Sequence, residues 1–334
     1  MQRVVVEVTD DCNNACLHCY NLGRRGRCGA GGAEGLSREC LRGIIRGIKH
    51  DAPLQQVALS GGEPFLRDDL AGIVSDLAEE GLAPVVITNG TLLSASRLRR
   101  VPKNTLFEVT LFSADAGLHN RIAGRRVFRR VLEGLARVER HKCAWVLGFV
   151  VTRLNAHDTA RTIELGIALG ASAVMLNRVN LSRRAMPIAR RIVPPALLLR
   201  ESLAAADRAA STYGISIAVS VPVPPCVVDP REFSHLHFGW CPRGGNEAYY
   251  TIGATGLVRP CNHSSVILGD LRIMRFGDIV RGSKARGFWK PVPRECLQCS
   301  HPLRESCRGG CPAAADECYG TREQPDPFVE FARG

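Results

Sequence analysis

The stretch Val4-Val5-Val6-Glu7-Val8-Thr9-Asp10-Asp11-Cys12-Asn13-Asn14-Ala15-Cys16-Leu17-His18-Cys19 decides how this chain is read. A short apolar strand runs straight into a loop whose thiols are spaced CxxxCxxC. Three thiolates can hold three irons of a cubane [4Fe–4S] cluster and leave the fourth iron without a protein ligand. That open iron is a place for chemistry. Zinc is the competing reading, but zinc ligands come mostly as CxxC pairs that add up to four, and this loop has no fourth ligand nearby.

Outward from the loop, residues 4–222 alternate short apolar runs with amphipathic ones, the sign of a parallel sheet built from βα units. The periodicities predict strands at 4–9, 56–60, 84–88, 107–113, 144–152 and 173–178. Helices are expected at 37–50, 68–80, 94–100, 127–141, 156–169 and 195–213. Six such units are fewer than the eight that close a TIM barrel. Residues 214–222 read as a last strand leading out, and Pro222-Val223-Pro224-Pro225 marks a boundary. The expected division is therefore 1–222 for the barrel, 223–321 for a second domain and 322–334 for a C-terminal tail.

The ends of these strands carry small polar residues. The second ends in Ser60-Gly61-Gly62-Glu63-Pro64, where two adjacent glycines let the backbone approach a ligand closely, and their carbonyls with Glu63 can accept an ammonium group. An ordinary Gly-Pro turn is the plainer alternative. The third ends in Thr88-Asn89-Gly90, which suits either a ligand contact or a cap of the next turn. Ser113 ends the fourth. Asn155 follows the fifth and fits either a ligand site or the N-cap of the next helix.

The first strand, the cysteine loop with Tyr20 behind it, and Gly61-Gly62-Glu63-Pro64 together resemble the radical S-adenosylmethionine (radical SAM) enzymes and their GGEP motif. The resemblance implies an α/β fold, a partial (β/α)6 barrel open on one side. It implies that Cys12, Cys16 and Cys19 hold a cluster whose free iron chelates SAM, which is cleaved reductively to a 5′-deoxyadenosyl radical. Gly61, Gly62, Glu63, Thr88, Asn89, Ser113 and Asn155 become the expected SAM contacts. No residue of the pattern identifies a general base, so the catalytic side chain is unassigned.

From Cys226 the cysteine density rises: Cys226, Cys241, Cys261, Cys296, Cys299, Cys307, Cys311 and Cys318. Eight thiols are two clusters' worth of ligands. The run Cys241-x14-Gly256-x4-Cys261 followed by Cys296-x2-Cys299-x7-Cys307-x3-Cys311 and Cys318 resembles the SPASM domain of one radical SAM subgroup. It departs from that pattern in the seven-residue gap before Cys307, where five is common, and in the six-residue step to Cys318. By family order the first auxiliary cluster takes Cys226, Cys241, Cys261 and Cys311, and the second takes Cys296, Cys299, Cys307 and Cys318. Cys226 is the weakest member; were it only a core thiol, the first auxiliary cluster would have an open iron. A pair of zinc ribbons is the alternative.

Composition bounds the rest. A chain of 334 residues can bury one large core and a smaller domain. Its longest apolar run, Cys143 to Val151, is half a membrane span, and the start resembles no signal peptide. Fourteen cysteines without an export signal suggest metal ligation in a reducing compartment, and so a cytoplasmic protein. Cys40 and Cys143 read as inert thiols, and Cys28 stays open. The net charge of +12 is spread over helix faces without aromatic interleaving, which argues against nucleic acid. Arginines concentrate from Arg178 to Arg200 with no acid among them, a pattern suited to carboxylates.

SPASM-bearing radical SAM enzymes mostly modify peptides or proteins, so the resemblance implies three [4Fe–4S] clusters, SAM, a peptide or protein substrate and a flavodoxin- or ferredoxin-type reductant. The auxiliary clusters are expected to accept the electron left by hydrogen abstraction. Since the barrel begins at residue 4, leader-peptide recognition is expected from a separate partner. Oxidation of a tetrapyrrole or another small carboxylate-bearing precursor is the second enzymatic reading. A zinc-binding structural or nucleic-acid-binding protein is the reading from another class.

Overall fold

The computed structural model describes residues 3–21, 35–242 and 248–333, and Cys28 lies outside them. Eight strands run parallel in sequence order: β1 Arg3–Thr9, β2 Gln56–Gly61, β3 Ala83–Thr88, β4 Leu106–Thr110, β5 Trp145–Val151, β6 Ala173–Arg178, β7 Ser216–Val219 and β8 Leu236–Phe238. Their registers fix every strand end on one rim. The first six match the expected strands within a few residues, and 214–222 is a strand in its middle.

The helices between them follow the same logic. Arg38–Asp51 buries Leu41, Ile44, Ile45 and Ile48, one face of a 3.6-residue repeat. Its first turn is capped by Ser37, whose hydroxyl accepts from the Cys40 amide at 3.2 Å. Phe128–Arg140 buries Val131, Leu135 and Val138 in the same way. Between these faces and the sheet lie Phe107, Trp145 and Phe149, all fully buried, each side chain stabilising the fold by about 1.5–3 kcal/mol relative to exposure.

Between the expected strand at 107–113 and the expected helix at 127–141 the periodicities assign no element, yet Ala116–Ala123 is helical, with Asp115 accepting from the Leu118 amide at 2.7 Å and Gly124 closing it at φ 65°. The Asp and Gly caps stood in the sequence; the eight residues between are too few for a convincing period.

The C-terminal region is built onto the barrel. β9 Thr251–Ile252 lies parallel to β1, pairing Val5 with Thr251 and Val6 with Ile252, and β10 Leu257–Arg259 and β11 Gly269–Asp270 follow antiparallel. One sheet therefore runs in the order β11-β10-β9-β1 through β8, and the boundary at 222 does not separate two sheets. The expected tail is also structured: Pro327–Arg333 is a helix with Phe328 fully buried. Ahead of it, buried Asp326 forms an ion pair with the buried Arg178 guanidinium, which stacks 4.4 Å over the Phe328 ring. Arg178 thus leaves the group expected to meet a carboxylate of the substrate. Its carboxylate is Asp326, far along the chain and invisible to a local reading.

Among the described residues no helix is long and apolar enough to cross a membrane. The Arg178–Asp326 pair predicts a stability effect. Asp326→Ala leaves a buried guanidinium uncompensated and should cost about 3–5 kcal/mol, read as a lower denaturant midpoint; an unchanged midpoint would show that the pair does not tie the C-terminal helix to β6.

Candidate active site and auxiliary cysteines

Cys12, Cys16 and Cys19 lie at the C-terminal end of β1 on a loop clamped from two sides by backbone hydrogen bonds. On one side, Gly62 N donates to Thr9 O at 2.7 Å and Glu63 N to Asp11 O at 2.7 Å. On the other, Ala15 N donates to Ala123 O at 2.9 Å and Leu17 N to Ile122 O at 3.0 Å. The unexpected helix Ala116–Ala123 is therefore one jaw of the clamp.

Glycine is required where the clamp closes. A Cβ on Gly62 would stand 1.8 Å from Asp11 O, and one on Gly61, at φ +123°, would stand 2.2 Å from Thr9 O. The close approach expected of these glycines is real, and its visible partner is the backbone leading into the cysteine loop.

Glu63 is fully buried and turned inward. Its carboxylate accepts from Thr88 Oγ1 at 2.7 Å, Asn89 N at 2.8 Å and Phe65 N at 3.1 Å, while burial pushes its pKa up. Thr88 is accordingly a partner of Glu63. Asn89 turns to the cysteine loop: its Nδ2 donates to Asn13 Oδ1 at 2.8 Å and reaches Cys12 Sγ at 4.0 Å. The Asn14 amide also donates to Cys12 Sγ at 3.5 Å. Such donors favour a thiolate.

Ser113 is buried, donating to Asp158 and accepting from the Asp115 amide at 2.9 Å. Asn155 is fully buried, donates to Phe112 O and Val150 O, and accepts from the Thr152 amide and hydroxyl. All its hydrogen-bonding capacity joins the ends of β4 and β5, and it does not cap the following helix.

Cys16 packs against Phe112, Ile122, Ala123 and Val127. His18 meets Phe112 edge-on at 5.2 Å, and burial lowers its pKa to about 4, so the ring is neutral near pH 7. Tyr20 packs on His263 of the C-terminal region at 4.9 Å, with Ser60 and Asn262 as hydrogen-bond partners and its pKa pushed up to about 12 by burial. Beneath it Glu7 of β1 is ion-paired with Arg259 of β10. Sequence reading passed over Glu7, Glu108, Asp158 and His263. The usable signal was an acid inside an apolar strand, Glu7 in β1 and Glu108 in β4; burial raises both pKa values.

Four of the eight C-terminal cysteines share one place. Cys226, Cys296, Cys299 and Cys307 line one cavity of about 340 Å³. Cys311 caps the helix Pro312–Tyr319, its sulfur accepting from Ala314 N at 3.4 Å and from Asn180 Nδ2 at 3.5 Å. Cys318 lies on that same helix, and Cys261 is close enough to Cys311 that charge on one thiol raises the pKa of the other. Burial is the larger cause and takes Cys261 to about 12. Family order placed Cys226 beside Cys241, Cys261 and Cys311; the structure puts Cys226 in the lining of the cavity that holds Cys296, Cys299 and Cys307, and Cys318 is not among its lining residues.

The cysteine loop fits a cluster on its own evidence. His18 Nδ1 and both ends of the Asn21 side chain are buried beside it without a partner among the described residues. Among the described residues no three His, Cys, Asp or Glu side chains close around a single ion.

Comparison with known proteins agrees with this geometry. Residues 6–166 match the model of the radical SAM superfamily. A PqqA peptide cyclase of Bradyrhizobium diazoefficiens is 25% identical over 337 residues, covering 97% of this chain and 84% of that protein. One of Rhodopseudomonas palustris is 27% identical, covering 97% and 85%. Among solved structures, Streptococcus suis SuiB bound to the precursor peptide SuiA superposes with a TM-score of 0.75 at 16% identity, over 97% of this chain and 74% of that one. The anSMEcpe structure with bound AdoMet gives 0.73 at 16% identity, over 99% and 94%.

The clamp carries a prediction. Gly62→Ala should force the cysteine loop away from β2 and lower iron and sulfide after anaerobic reconstitution by about four each per chain, one cubane's worth. Gly43→Ala, with open space around the added Cβ, is the control and should keep the full content. Full iron in the Gly62→Ala chain would mean that the close contact does not hold the loop.

Proposed function

We propose that this chain, whose residues 6–166 are a radical SAM domain, oxidatively modifies a peptide or protein by crosslinking or maturation. The observation that carries the reading is the three-cysteine loop clamped at the end of β1 with Asn89 and the Asn14 amide directed at Cys12. Cys12, Cys16 and Cys19 would hold the barrel cluster, and the eight later cysteines two auxiliary ones. Bound there, the barrel cluster would supply the electron for reductive cleavage of SAM and so the means of removing one substrate hydrogen, and clusters on the later cysteines would provide an acceptor for the electron left on the substrate.

The chain's own groups prepare that chemistry. The donors on Cys12 offset thiolate charge, and the apolar cluster of Phe112, Ile122 and Val127 packs against half-buried Cys16. The inward-turned Glu63 locks the end of β3 to the turn after β2, so that Asn89 is held against the loop. SAM would then meet the cysteine loop and the outward atoms of Gly61, Gly62 and Asn89.

The peptide substrate is supported by similarity to the PqqA peptide cyclases and by the likeness to a fold solved with its precursor peptide. That similarity favours the peptide reading over the tetrapyrrole and zinc-protein alternatives. A separate leader-binding partner, a flavodoxin- or ferredoxin-type reductant and a cytoplasmic setting complete the proposal. Arg183 and Arg184 follow β6, both exposed, and the Arg183 guanidinium donates to Glu317 O at 3.4 Å, beside the Cys318 helix. They are the arginines of the 178–200 run placed to meet an acidic peptide.

Two outcomes test this. With SAM and dithionite the reconstituted chain should form 5′-deoxyadenosine, and changing Cys12, Cys16 and Cys19 together to Ala should abolish it; cleavage surviving in that variant would overturn the assignment. Once a substrate peptide is in hand, reversing charge at Arg183 and Arg184 should raise its KM tenfold or more, roughly 1.4 kcal/mol per factor of ten, with uncoupled SAM cleavage unchanged. An unaltered KM would make them a solvated surface.

A further inference from the structure

We infer that Cys226 is the fourth ligand of the auxiliary cluster on Cys296, Cys299 and Cys307, and that Cys318 belongs to the other auxiliary cluster with Cys241, Cys261 and Cys311. This assignment exchanges Cys226 and Cys318 relative to family order, and it rests on the iron–sulfur reading proposed above.

Cavity geometry comes first. The walls of the 340 Å³ cavity bring together four thiols from two distant segments, Cys226 after the prolines that follow β7 and the Cys296–Cys307 stretch. Cys318 is not in those walls. Val329 of the last helix also lines this space; it offers no ligand atom.

The placement of Cys226 is enforced from the same helix. The Arg333 guanidinium donates twice to the Cys226 carbonyl, at 2.8 and 3.2 Å, fixing the backbone that carries the thiol.

Cys318 is constrained differently. It follows the capping Cys311 by seven residues, so after two turns it returns to the same face of the helix. Side chains in a helix tilt toward its N-terminus, which leans the Cys318 sulfur toward Cys311 across an axial rise of about 10 Å. The six-residue step that looked like a departure from the family pattern is thus the reason for the exchange: the chain has no length in which to carry Cys318 from the helix that Cys311 caps over to the cavity of Cys296, Cys299 and Cys307. Cys226 fills the vacancy that this creates.

The test uses the full chain reconstituted anaerobically and four double variants, Cys226→Ala with Cys299→Ala, Cys318→Ala with Cys261→Ala, and the two crossed combinations. Electron paramagnetic resonance of the dithionite-reduced protein is the readout, with iron counted per chain. The expected result is that the two uncrossed variants each keep one auxiliary signal as in the wild type and about two thirds of the iron. The crossed variants, Cys226 with Cys261 and Cys318 with Cys299, should alter both auxiliary signals. The reverse pattern, crossed variants sparing one signal, would restore family order and overturn the inference. Single Cys226→Ser and Cys318→Ser chains give a second reading where a double variant is insoluble: each should perturb a different auxiliary signal, Cys226→Ser the same one as Cys299→Ser. Cys226→Ser and Cys261→Ser perturbing one signal would contradict it. A wild-type chain that takes up zinc in place of iron would overturn the proposed function itself, an outcome separate from either pattern.

Discussion

Everything at the candidate site depends on a backbone-to-backbone contact, the closing of Gly61-Gly62 onto Thr9–Asp11. Two glycines without Cβ atoms allow β2 to end within hydrogen-bond reach of the chain that leaves β1. An alanine there would occupy the space of a carbonyl oxygen. The contact converts an eight-residue thiol loop, which alone would sample many conformations at about 1–2 kcal/mol per residue of backbone entropy, into a fixed ligand set. The second jaw, Ala15 and Leu17 on the end of the Ala116–Ala123 helix, completes it.

Buried charge then joins the barrel to the C-terminal region at two points. Glu7 with Arg259 ties β1 to β10, and Arg178 with Asp326 ties β6 to the last helix. Buried pairs of this kind contribute less to net stability than to holding one arrangement against others. Here each anchors a strand end near cysteines: Asp326 also accepts from the Cys311 amide at 2.9 Å. The distance between the two thiol groups of the C-terminal region and the cysteine loop is therefore set by the barrel and not by a free hinge.

Much of this was legible in the sequence. Short apolar runs placed the first six strands, because parallel strands buried on both faces write continuous apolar runs. The cysteine loop declared itself by spacing. What could not be read were side-chain directions. Thr88 and Asn155 have the residue types of a ligand site but spend their hydrogen bonds inside the protein, a choice settled by neighbours 25 and 43 residues away, Glu63 and Phe112. Arg178 looked like a substrate arginine because its partner lies 148 residues on. The grouping of the later cysteines followed family order, and the cavity that Cys226 shares with Cys296, Cys299 and Cys307 joins segments too far apart in the chain for a local reading.

The account stands on one cluster, held by Cys12, Cys16 and Cys19, having an iron open to S-adenosylmethionine. Hyperfine spectroscopy of the reduced wild-type chain mixed with SAM labelled by nitrogen-15 at its amino group and oxygen-17 at its carboxylate measures this directly. The account predicts coupling of both labels to one cluster signal, absent in the chain with all three of these cysteines changed to Ala. No coupling to any iron–sulfur signal, in a wild-type chain holding its full iron, would contradict it.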